Sequence, residues 1–165
     1  MIIRPEDYRD IREISALVTA AFEGAQHSDG TEGAIVEALR ASGGLAVSLV
    51  AEQNGEIVGH VAFSLVEVDG VEENWYGLGP VAVRPGKQRH GIGVDLIKAG
   101  LDQIKLLGAA GCVVLGDPDY YARFGFKVDP ALCFPGVPPE YFQCLTFGPD
   151  TARGVVVYHP AFYGA

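Results

Sequence analysis

The pattern of hydrophobic and polar positions predicts helices in three segments, because apolar residues recur there every three or four positions. The first spans Asp7 to Phe22, the second spans positions 32–41, and the third spans Gly91 to Gly108. In the third segment the apolar residues fill about half of a helical wheel, and charged residues form the opposite stripe. These apolar residues are Ile92, Leu96, Ile97, Leu101, Ile104 and Leu107. One face of this helix is therefore expected to pack on a core.

Other apolar segments have the pattern of strands, bounded by turn residues. The pair Asn54-Gly55 is a strong hairpin signal and joins two of these strands. Another strand ends before Pro85, because proline cannot donate a hydrogen bond to a neighbouring strand. The segment DPDYYARFGF predicts a turn and a short helix that Gly125 ends. In chain order, the strands are predicted at 1–5, 45–52, 56–68, 74–83 and 112–115, followed by further strands in the tail.

Composition favours one packed domain, residues 1–165, and its mixture of predicted strands and helices belongs to the α/β (α+β) class. The chain has 12 Lys and Arg residues against 21 Asp and Glu residues, a formal net charge of −9. This balance argues against nucleic acid and membrane surfaces as partners, since both attract basic proteins. Three widely spaced cysteines and a charged N-terminus predict a cytoplasmic protein. The four histidines lie far apart in sequence, so no metal site is expected.

One short stretch, VRPGKQRHGIGVDLI at 83–97, concentrates positive charge in this acidic chain. A strand, a glycine-rich turn and a helix follow one another here, so free N–H groups and the positive end of the helix dipole come together. Arg84, Lys87 and Arg89 add charge beside them. The stretch therefore predicts a site for a phosphate or pyrophosphate. A P-loop is excluded because Val94-Asp95 follow the second glycine, and a dinucleotide fingerprint at 77–82 is spoiled by its proline.

The motif Gln88-Arg89-His90-Gly91-Ile92-Gly93 resembles the acyl-CoA signature of GNAT-type N-acetyltransferases. A later block, YYARFGF, resembles another motif of that family, with a tyrosine four residues before Gly-Phe. The tail segments PGVPPEYF and VVVYHPAF are similar to those of a branch of small bacterial acetyltransferases. The resemblance implies a mixed central sheet of about seven strands, flanked by about four helices and splayed between its fourth and fifth strands. Many members carry an asparagine after the fifth strand, where this chain has Asp117.

The resemblance also implies acetyl-CoA as cosubstrate and direct attack by an amine in a ternary complex. The backbone of Val81, Ala82 and Val83 would pair with the pantetheine arm, and Gln88, Arg89, His90, Gly91, Ile92, Gly93 and Val94 would bind the pyrophosphate. Tyr121 would give a proton to the departing thiolate, with Tyr120 as its rival. Glu73 is favoured slightly over Glu72 and Glu67 as the base that deprotonates the amine. Glu32 and Arg40 are candidates to face the acceptor.

Two functions remain open from the sequence. The first is N-acetylation of a primary amine, either a small molecule or a peptide. The second is a non-catalytic acyl-CoA-binding module that acts as a sensor or partner surface. No serine has the GxSxG context of a hydrolase. The tail GVVVYHPAFYGA either completes the sheet or meets a partner such as a second copy of the chain in a homodimer.

Overall fold

A mixed six-stranded sheet forms the centre of the protein, with strand order β1-β2-β3-β5-β6-β8. The computed structural model describes residues 1–25, 28, 30–149 and 152–164, so positions 26, 27 and 29, between the first two predicted helices, lie outside the described residues. The strands are β1 (Ile2–Pro5), β2 (Val47–Gln53), β3 (Glu56–Leu65), β4 (Glu67–Val68), β5 (Trp75–Val83), β6 (Gly111–Leu115), β7 (Leu132–Cys133), β8 (Phe142–Thr146) and β9 (Gly154–Val157). The helices are α1 (Ile11–Phe22), α2 (Glu32–Ser42), α3 (Ile92–Leu106) and α4 (Pro118–Tyr121).

The predicted α/β class and mixed sheet are confirmed, but the strands divide between two sheets. The long segment predicted at 56–68 breaks after Leu65, and β4 pairs with β9 instead of continuing along β5. The order β4-β9-β7 makes a second, three-stranded sheet, so the main sheet has six strands where about seven were expected. The tail therefore completes the smaller sheet, and a homodimer stays a prediction.

Helices cover both faces of the main sheet. On one face α3 contributes Leu96, Ile97 and Ile104 to a core that includes Phe63 of β3. At Gly100 a Cβ would lie 2.1 Å from an atom of the Phe63 ring, so only glycine lets α3 approach this closely. On the other face α1 and α2 pack Ile14, Leu17, Val18 and Val36 against the sheet.

The helical wheel predicted for α3 is confirmed except at its end. Leu107 follows the last helical residue and is 54% exposed, so it does not belong to the buried face. The predicted hairpin is confirmed, because Asn54 and Gly55 both have positive φ, 52° and 79°. That geometry belongs to the two-residue turns whose twist matches a hairpin.

The gap that positions the site lies between β5 and β6. These strands are parallel and pair from Trp75 to Leu78 on β5, opposite Gly111 to Val114 on β6. Beyond Leu78, β5 continues to Val83 without a ladder to β6, which confirms the predicted splay. The register between β3 and β5 also shifts at this point, between Val61 and Phe63. The irregularity bends β5 where the two strands separate.

Candidate active site

A cleft of about 550 Å³, here called the cofactor cleft, lies where β5 separates from β6 and leads into α3. One wall is the side-chain row of Val81 and Val83, which face α3 because alternate residues of a strand share a face. The opposite wall comes from the short helical segment after β6. The described residues that line it are Val81, Val83, Gln88, Arg89, Gly91, Ile92, Gly93, Val94, Ile97, Tyr120, Tyr121 and Arg123.

The floor of the cofactor cleft is the start of α3. Gly91 caps the helix in the left-handed conformation with φ 83°, and Arg89 also has a positive φ of 67°. Gln88 donates from Nε2 to the carbonyl oxygen of Val83 at 3.2 Å, which ties the loop back to β5. Since the first N–H groups of a helix lack intrahelical acceptors, this arrangement can bind an anion.

Most of the cofactor-binding residues predicted from the sequence line this cleft. All of the ten line it except Ala82 and His90. The side chain of Ala82 is buried on the opposite face, against the core below α1 and α2. His90 is exposed, and its Nδ1 lies 3.2 Å from the carbonyl oxygen of Lys87.

The cationic side chains that line the cofactor cleft differ in part from those predicted from the sequence. Arg89 lines the cleft, whereas Arg84 forms an ion pair with Glu56 at 2.7 Å. Lys87 is exposed and does not line the cleft. Sequence reasoning missed Arg123, which lines the cleft and has its guanidinium 4.4 Å from the centre of the Tyr120 ring. The motif YYARFGF contains this arginine and could have indicated it.

A second cavity of about 450 Å³, here called the aromatic cavity, lies on the other side of the gap. Val81 and Tyr121 line both this cavity and the cofactor cleft, so these two residues border both spaces. Among the described residues that line the aromatic cavity, Glu32 is the one with a charged side chain. The lining is Phe22, Glu32, Ile35, Leu78, Gly79, Pro80, Val81, Leu115, Tyr121, Phe134, Tyr158, Phe162 and Tyr163.

Tyr121 is held firmly at this junction. A Cβ on Gly116 would lie 2.5 Å from the Tyr121 ring, and the ring of Phe126 is 6.0 Å away at an interplanar angle of 78°. Burial raises the pKa of Tyr121 from 10.0 to about 12. Tyr120 differs, because it lines the cofactor cleft but not the aromatic cavity. Asp117 caps α4 by accepting a hydrogen bond from the Asp119 amide at 3.0 Å, which accounts for the DPD sequence as turn chemistry.

The candidate base residues lie at the other end of the sheet. Glu72 and Glu73 are exposed in the turn that precedes β5, and neither lines the cofactor cleft or the aromatic cavity. Trp75 at the start of β5 is about 20 Å along the strand from Val81, from the rise of an extended chain. Because β5 and β6 are parallel, Tyr121 follows the opposite end of the pair. The structure therefore does not bring Glu73 together with Tyr121.

Arg40, the other candidate for the acceptor on α2, belongs to a separate buried network. It donates two hydrogen bonds of 2.9 Å to the carboxylate of Glu6. Glu6 also accepts from the hydroxyl of Ser48, whose oxygen lies 2.7 Å from Nε2 of His60. Glu32 is thus the candidate on α2 that reaches the aromatic cavity.

In the described part of the chain, no group of three or more His, Cys, Asp and Glu side chains is arranged to hold a metal ion. No helix there combines the length and apolar character needed to cross a membrane.

Comparison with known proteins identifies the family. The model of the acetyltransferase (GNAT) family matches residues 11–126, which include the gap, the start of α3 and α4. This chain belongs to the GNAT acetyltransferase family. The N-acetyltransferase YhbS of Escherichia coli K12 is 38% identical, with 98% of each chain covered.

Two solved structures of GNAT relatives have the same fold over almost the whole chain. A GNAT family acetyltransferase from Brucella melitensis, in complex with acetyl-CoA, has a TM-score of 0.88 and 50% identity, covering 98% of this chain and 97% of its own. YhbS of Escherichia coli, in complex with CoA, also has a TM-score of 0.88, with 34% identity over 98% of this chain and 91% of its own. The GNAT fold expected from the sequence is therefore confirmed.

Proposed function

We propose that this protein is an acetyl-CoA-dependent N-acetyltransferase, which transfers the acetyl group to a primary amine by direct attack in a ternary complex. The observation that carries the proposal is that Val81 and Tyr121 border both the cofactor cleft and the aromatic cavity. Two spaces that share these residues suit two substrates that react without a covalent enzyme intermediate. Holding both there supplies the proximity that such a reaction needs.

Two features of the cofactor cleft suit acetyl-CoA. The start of α3 and the side chains of Arg89 and Arg123 would bind the pyrophosphate. The free edge of β5 beyond Leu78 would pair with the amides of the pantetheine arm, as a strand would. Relatives in complex with acetyl-CoA and CoA support this choice of ligand. Acetyl-CoA would supply the activated acetyl group as a thioester.

Tyr121 is the residue that we assign to proton donation. Its raised pKa, about 12, keeps the phenol protonated at neutral pH, as a general acid requires. Its position between the two spaces is where a leaving thiolate would need a proton. Tyr120 lines the cofactor cleft but not the aromatic cavity, which favours a role for its side chain in binding the cofactor. The base role predicted for Glu73 would need a long water chain, because Glu73 lies before β5.

The test compares Tyr121→Phe with Tyr120→Phe in a free-thiol release assay and in calorimetry with CoA. We expect Tyr121→Phe to lower kcat by about 100-fold, the usual scale of general acid catalysis, while its affinity for CoA stays within about twofold. Tyr120→Phe should keep most of kcat. Undiminished turnover by Tyr121→Phe would contradict the assignment of the acid. CoA binding without acetylation of any amine would favour a sensor instead.

A further inference from the structure

The aromatic cavity differs from the cofactor cleft in chemistry as well as in position. Its rings come from distant parts of the chain: Phe22 ends α1, Phe134 follows β7, and Tyr158 and Phe162 lie in the tail. The rings of Phe134 and Tyr158 are 5.3 Å apart in an edge-on arrangement, and those of Tyr158 and Phe162 are 5.2 Å apart. The cavity, of about 450 Å³, is of the size at which proteins bind small organic ligands.

We propose that the acceptor is a primary amine on an aromatic or similarly bulky apolar body without a carboxylate, and that Glu32 binds its ammonium group. This inference rests on the proposed function and specifies the substrate class of the same site. Aromatic rings that line a cavity favour a ligand that replaces water with apolar surface. They give no such benefit to a polyamine or an amino sugar.

Glu32 supplies the charge complementarity for this choice. It lies in the first turn of α2 and is half-buried, with Ile35 three residues later on the same side of the helix. The hydroxyl of Ser28 donates to Oε1 of Glu32 at 2.8 Å, which orients the carboxylate. An ammonium group beside it would form a charge-assisted hydrogen bond. The carboxylate can therefore hold the amine before it loses its proton.

The same lining argues against an acceptor that carries its own carboxylate. Among the described residues that line the aromatic cavity there is no Lys, Arg or His side chain. A ligand carboxylate would lose water without gaining a cationic partner, and it would approach Glu32 with like charge. Arg123 lines the cofactor cleft and not the aromatic cavity. A free amino acid should consequently be a poor acceptor.

The experiment measures thiol release with three probes: phenethylamine, L-phenylalanine and putrescine. Phenethylamine and L-phenylalanine differ by one carboxylate, and putrescine removes the aromatic body. We expect kcat/KM for phenethylamine to exceed both others by at least about tenfold, a difference of about 1.4 kcal/mol. Glu32→Gln should raise KM for phenethylamine by about tenfold and leave CoA affinity unchanged. Glu37→Gln is the matched control, because Glu37 lies on the same helix but does not line the aromatic cavity. Its side chain is exposed and accepts a hydrogen bond from Ser15.

A second readout separates this inference from the proposed function. Calorimetry of phenethylamine with the protein saturated in CoA tests the cavity without turnover. One outcome is that phenethylamine binds, that Glu32→Gln but not Glu37→Gln weakens this binding, and that no acetylation occurs. This outcome would support the inferred ligand class of the aromatic cavity and contradict the proposed acetyltransferase activity. Acetylation of putrescine or peptides in preference to phenethylamine would overturn the inference and leave the enzyme standing. Absence of phenethylamine binding would also overturn it.

Discussion

His60 should make the stability of this protein depend on pH between neutral and about pH 4. The side chain is fully buried in β3, and burial lowers its pKa from 6.5 to about 4, with the charge of Glu6 opposing and that of Arg40 adding to the shift. The hydroxyl of Ser48 donates its hydrogen bond to Glu6, so its oxygen accepts a hydrogen bond from Nε2–H of His60. Nδ1 has no hydrogen-bond partner among the described residues. The fold therefore holds the neutral imidazole.

The sign follows from the lowered pKa. The unfolded chain takes up a proton near pH 6.5, but the folded chain resists it until about pH 4, so acid favours unfolding. The stabilisation is complete above pH 6.5 and is lost as the pH falls towards 4. At about pH 5 the loss is about 2 kcal/mol, and below pH 4 it reaches about 3 kcal/mol.

The assay compares urea unfolding of the wild type and His60→Gln at about pH 7.5 and pH 5. Glutamine keeps a donor near Ser48 but cannot titrate, so the wild type should lose about 2 kcal/mol more than the variant over this interval. Glu6 titrates in both proteins; burial alone would raise its pKa, but hydrogen bonds from Arg40 and Ser48 lower it. His90→Gln changes an exposed histidine and should follow the wild type. Parallel losses in the wild type and His60→Gln would refute the reasoning.

Two other predictions concern the aromatic core and the cofactor cleft. Tyr158→Phe should leave the free energy of unfolding unchanged or raise it by about 1 kcal/mol, because the buried hydroxyl has no hydrogen-bond partner among the described residues; a loss above about 1 kcal/mol in urea unfolding would contradict this. Arg123→Gln should raise the Kd for CoA about fivefold, corresponding to about 1 kcal/mol, and reduce its salt dependence in calorimetry. Lys87→Gln, outside the cleft, should bind CoA like the wild type.

Local pattern predicted the parts of the site that neighbouring residues build. The strand, glycine turn and helix around Gly91 lie within one short stretch, so their order can be read directly from the sequence. The periodicity of apolar residues predicts the buried face of α3. The same reasoning failed where a partner lies far away in sequence. The ion pair of Arg84 with Glu56 joins β3 to the loop after β5, and no pattern near Arg84 indicates it. The resemblance named Ala82 for its backbone, and only the packing of α1 and α2 shows that its side chain lies on the face of β5 away from the cleft.

The aromatic cavity was the part least accessible to sequence reasoning. Phe22, Phe134 and Phe162 are each unremarkable apolar residues in their own segments, and only tertiary packing brings them to one wall. The sequence did name Glu32 as a candidate to face the acceptor, because it lies on α2, but it could not separate Glu32 from Arg40. What separates them is the half-buried carboxylate of Glu6, which pairs with Arg40 across a separation of 34 positions in sequence.

The position of the whole site follows from one parallel pair of strands. Along the main sheet, β5 and β6 are parallel, so their carboxyl ends lie at the same edge. The motif with Gly91 follows one of these ends and the motif with Tyr121 follows the other. Ligands of α/β sheets commonly bind outside such ends, where neighbouring strands separate. Residues that precede β5, including Glu73, consequently lie at the opposite edge of the sheet. Catalytic groups should be sought among the residues that follow β5 and β6 and among those of α2.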